Sequence, residues 1–68
     1  MILVKQYNVS SGSSKFLGSF SNWEDAIDKV ESSAWAYESW GYKVNWVKNT
    51  RFEAEKNHSI IVVYATMD

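Results

Sequence analysis

One segment constrains the fold of this chain more than any other. It is a single helical stripe that lies in the middle, with β-rich sequence on both sides. Ser21-Asn22-Trp23-Glu24 has the spacing S-x-x-E, in which a serine hydroxyl takes a backbone N–H of the first turn and the glutamate reaches back to the cap. Apolar residues then recur at Trp23, Ala26, Ile27, Val30, Ala34 and Tyr37, in steps of three and four that fill one helical face. Gly41 follows where a left-handed stop belongs. The pattern predicts a helix over residues 22–40. A lone helix cannot bury its own stripe, so the flanking segments must supply a sheet, which makes the class α+β.

Residues 2–9 (ILVKQYNV) and 15–20 (KFLGSF) read as strands joined by the turn cluster Ser10 to Ser14. Residues 42–48 (YKVNWVK) alternate as a strand. Residues 59–67 contain the β-branched run Ile60-Ile61-Val62-Val63, and a strand apolar on both faces belongs at the centre of a sheet. Residues 49–58 have two readings. They either extend the third strand into a bent hairpin arm, or form an extra short strand near 51–55. Asn57 and His58 mark the final turn in both.

The expected order is ββαββ, a four-stranded mixed sheet with one helix packed on one face. The crossover brings the last strand beside the first, parallel, in the centre. This arrangement resembles the β-grasp of immunoglobulin-binding protein G domains. The resemblance is one of topology, with no family motif to carry over residue by residue.

At 68 residues the chain forms one domain, 1–68. About 60 residues bury only about 60% of the unfolded surface. Four Trp, four Tyr and three Phe against two Leu are a response to that shortage, because each aromatic covers a large area. The absence of Cys excludes disulfides and thiolate metal sites, and a single His excludes multi-histidine sites. Only four apolar residues precede Lys5, so the N-terminus reads as neither signal peptide nor membrane span. A cytoplasmic setting is expected (the host cytoplasm, if a phage encodes the chain). One helix covers one sheet face. Strand one is apolar at both parities (Ile2 and Val4, then Leu3, Tyr7 and Val9), so the open face is expected to meet a second copy.

Catalytic patterns fail in turn. Ser11-Gly12-Ser13 lacks the context of a nucleophile elbow. Gly12, Gly18 and Gly41 match no phosphate-binding spacing. Glu24, Asp25, Asp28 and Glu31 lie along the wet side of an amphipathic helix, without the enclosing pocket that paired acid–base work needs. Glu53, Glu55 and His58 are the one set with hard-ligand character, and read better as strand carboxylates beside a solvated turn. No enzyme, cofactor or metal site is expected. The net charge of −1 gives no global field for nucleic acid. Tyr42, Lys43, Trp46, Lys48, Arg51 and Phe52 interleave aromatic and basic groups as single-strand binders do, but Tyr42, Val44 and Trp46 share a strand face and read as packing beneath the helix.

Trp35 stands apart. It lies about 140° from the centre of the buried stripe, among Glu31, Ser32, Glu38 and Ser39. Trp23 belongs to the stripe and Trp40 to its border. An outward tryptophan with small neighbours is the type of residue that anchors interfaces. Between them, residues 22–40 set five carboxylates against Lys29 alone, an acidic surface suited to a basic partner. The expected function is therefore a small protein-interaction module contacting its partner through Trp35, Glu31, Glu38, Ser39 and Trp40. It would act by steric or competitive binding, as phage-type inhibitors of host enzymes or defence proteins do. The alternative is a small-ligand or nucleotide site at a homodimer interface, formed by Tyr42, Trp46, Lys48 and Arg51. A weak single-strand nucleic-acid binder is the third reading.

Overall fold

A computed structural model describes all 68 residues. The strands are β1 (Ile2–Asn8), β2 (Ser14–Phe20), β3 (Lys43–Lys48), β4 (Arg51–Lys56) and β5 (Ser59–Met67), with one helix, α1 (Trp23–Ser39), between β2 and β3. They form one open five-stranded sheet of order β2-β1-β5-β4-β3, antiparallel throughout. The class is thus α+β as the pattern predicts, and residues 51–56 are the extra strand.

That strand corrects the rest of the expected topology. Asn49-Thr50 and Asn57-His58 each reverse the chain in two residues. Asn57 and His58 both take positive φ, at 50° and 70°, the conformation that tight hairpin turns favour. The return from the helix is therefore a three-stranded meander, and β5 runs opposite to the direction it would have after a single hairpin. It does lie at the centre beside β1, but antiparallel to it, from Ile2 opposite Met67 to Asn8 opposite Ile61. The sheet is not mixed, and the likeness to the protein G β-grasp ends at this strand pair.

The helix begins one residue later than the S-x-x-E spacing implies. Asn22 is the cap: its Oδ1 accepts from the Asp25 N–H at 2.9 Å, and its Nδ2 donates to the Asp25 carboxylate at 3.2 Å. The closing end follows expectation, with Gly41 at φ 90°. No basic residue stands in the last turn. Lys56, from the end of β4, donates instead to the Trp40 carbonyl at 2.6 Å, placing a cation where the helix dipole is negative.

Ala26, Val30, Ala34 and Tyr37 form the buried stripe of α1. They pack on Ile2 and Val4 of β1, Phe52 and Ala54 of β4, and Ile61 and Val63 of β5. The small alanines let the helix lie close to the sheet. Fully burying a side chain of the Val30 or Phe52 type contributes about 1.5–3 kcal/mol. Trp23 is a second correction. It is the first helical residue, outside the core cluster that starts at Ala26, and 41% of its surface is exposed. No helix is long and apolar enough to cross a membrane.

Candidate functional site

Glu31, Trp35 and Glu38 occur at i, i+4 and i+7 on α1, so they form one column along its flank. Trp35 keeps 71% of its surface exposed, in agreement with its outward angle. The column faces the end of β3. Trp46, Lys48 and Asn49 form the opposite wall of a cleft of about 480 Å³, with Glu31, Trp35 and Glu38 as the first wall.

The cleft exists because β3 is an edge strand. Trp46 does project to the helix side of the sheet, opposite Phe52 in the β3–β4 register, with the two rings 5.2 Å apart. At the edge, however, the helix does not cover it, and 46% remains exposed. The expectation of a core Trp46 is right about the face and wrong about the burial. A bulge between Trp46 and Lys48 bends the strand end, a device that redirects side chains, and Lys48 reaches the cleft.

The Trp46 wall is firmly backed. Phe52 is completely buried. It makes an edge contact with Tyr37, centroids 6.4 Å apart, and Tyr37 makes further edge contacts with Tyr42 at 5.0 Å and Trp40 at 5.3 Å. The Tyr37 hydroxyl donates to Gln6 Oε1 on β1 at 2.7 Å. Burial, followed by the neighbouring Tyr42, pushes the Tyr37 phenol above its ordinary pKa.

The structure thus joins parts of two sets that the sequence kept separate. Glu31, Trp35 and Glu38 of the interaction set meet Trp46 and Lys48 of the ligand set. The other members lie elsewhere. The Ser39 hydroxyl is turned back onto the Ala36 carbonyl at 2.7 Å. Trp40, 60% exposed, meets Tyr37 edge to face rather than lining the cleft. Tyr42 packs against the core beneath the Lys56 ammonium, 5.7 Å from its ring. Arg51 lies on the open sheet face, 5.9 Å from the Tyr64 ring. There it shares a hollow of about 650 Å³ with Tyr7, Val9, Glu53, Ile60, Val62 and Tyr64. The basic–aromatic run from Tyr42 to Phe52 is therefore divided between two faces, and its Phe52 is inaccessible. No three His, Cys, Asp or Glu side chains converge as a metal site would require. Sequence reasoning missed Asn49, whose only signal was its place in a turn.

The chain matches no protein-family model, no curated protein and no solved structure.

Proposed function

We propose that this chain is a protein-binding module with no chemistry of its own, and that it engages its partner through the cleft between α1 and β3. The observation that carries this reading is the pair of exposed indoles, Trp35 and Trp46, on opposite walls of one cleft. Tryptophan is the residue most enriched where binding energy concentrates, and neither indole is needed to fill this core. Such a module works by occupying a surface, as a steric or competitive inhibitor does. The style fits the compact inhibitors that phages direct at host enzymes or defence proteins in the cytoplasm.

The nucleotide reading has less support. A phosphate site needs converging cations. Arg51 faces away from Lys48's cleft, where Glu31 and Glu38 would repel a phosphate.

Capture from lysate with Trp35→Ala as the control tests the proposal. Trp35→Ala is expected to keep melting within about 0.5 kcal/mol of the parent, as surface substitutions do, while losing a protein that the parent retains. Equal retention by both, or an equal loss of folding, would defeat it.

A further inference from the structure

We propose that the α1–β3 cleft receives an arginine side chain of the protein partner, an inference that rests on the reading above. Trp35 stands between Glu31 and Glu38 on one wall, and Trp46 stands on the other. Indole faces attract cations, and carboxylates on either side of an indole bind the edges of the same cation through charge-assisted hydrogen bonds. A guanidinium suits this arrangement better than an ammonium. It is planar, weakly hydrated and stacks on aromatic rings, whereas an ammonium is a compact and strongly hydrated point charge. The volume, about 480 Å³, exceeds what a bare ion needs and accommodates a long side chain with its flanking backbone.

Lys48 is the one cation in the cleft, and it gives the inference a sign. Against an arginine its charge is unfavourable. Against a phosphate or carboxylate ligand it would be the main attraction. Neutralising Lys48 therefore moves affinity in opposite directions for the two classes of ligand.

The probe is the acetylated, amidated peptide Gly-Arg-Gly, added to the ¹⁵N-labelled full chain. The readout is the four indole N–H resonances, assigned with single Trp→Phe variants. The Trp35 and Trp46 signals are expected to move while the Trp23 signal stays. The citrulline peptide, which has nearly the same shape but no charge, should bind about tenfold more weakly, as should the arginine peptide to Glu31→Gln/Glu38→Gln. Lys48→Gln should tighten arginine binding about two- to fivefold. All three substituted side chains are exposed, so the fold is not at stake. Equal binding of the citrulline peptide or of a matching Gly-Lys-Gly peptide, or weaker arginine-peptide binding to Lys48→Gln, would overturn the inference. If no peptide moves the cleft indoles while a captured partner still depends on Trp35, arginine recognition fails and the binding-module reading stands. If the captured protein ignores Trp35 as well, both fail.

Discussion

Tyr37 shows how one side chain serves both stability and the site. Its ring joins Trp40, Tyr42 and Phe52, and its hydroxyl crosses from the helix to Gln6 on β1. Tyr37→Phe keeps the ring and removes the hydrogen bond, a change expected to cost about 1 kcal/mol by chemical denaturation. It should also alter the alkaline limb of the stability profile. The folded phenol holds its proton above its ordinary pKa, so above about pH 10 the unfolded chain binds fewer protons than the folded one. The stability tied to Tyr37 is complete below that pH and is lost as pH rises through the raised folded value. Tyr37→Phe should therefore flatten the decline that begins above the ordinary phenol pKa; an unchanged slope would show that this phenol is not the group responsible. Trp35 and Trp46 differ in how far sequence discloses them. Helical angle alone turns Trp35 outward. For Trp46 the alternation of β3 gives the face, but exposure depends on the strand lying at the sheet edge, which no local pattern encodes.

Among the elements, α1 was the most legible, because a cap signal, a stripe and a terminal glycine all agree on it. The one-residue shift of its cap has a measurable consequence. Asn22→Ala should destabilise the protein by about 1 kcal/mol, whereas Ser21→Ala, whose hydroxyl caps nothing, should change the melting temperature little. The reverse ranking would restore the capping box. β4 was the least legible. Only Phe52 and Ala54 face the core from Arg51–Lys56, and four charged residues around a small alanine are weak strand signal. The same ambiguity concealed the direction of β5. Its apolar run shows that it is central, but whether it runs parallel or antiparallel to β1 depends on how many strands precede it. One undecided strand was enough to exchange a mixed sheet for an antiparallel one.

For the whole molecule, the open sheet face is the remaining surface to account for. Its hollow carries an apolar centre at Tyr7, Val9, Ile60, Val62 and Tyr64, with Arg51 and Glu53 two residues apart on β4. A two-fold axis passing between Arg51 and Glu53 would set the arginine of each copy against the glutamate of the other, the self-complementarity of an isologous contact. Sedimentation is therefore expected to show a dimer as concentration rises. Arg51→Glu and Glu53→Arg should each weaken it, and mixing the two variants should restore pairing; a monomer at every loading would exclude it. A dimer built this way leaves both α1–β3 clefts outward, so a partner with two arginine sites would be held by avidity. The sheet order carries a last consequence. Its two innermost pairings, β1 with β5 and β5 with β4, both require β5, the last of the five strands in sequence order. Without β5 the sheet divides into two hairpins, β1–β2 and β3–β4, each marginal by itself. The β1–β5 pairing, from Ile2 opposite Met67 to Asn8 opposite Ile61, joins the two ends of the sequence, and contacts of such separation slow folding relative to local ones, so refolding is expected to be slow for a chain of this length.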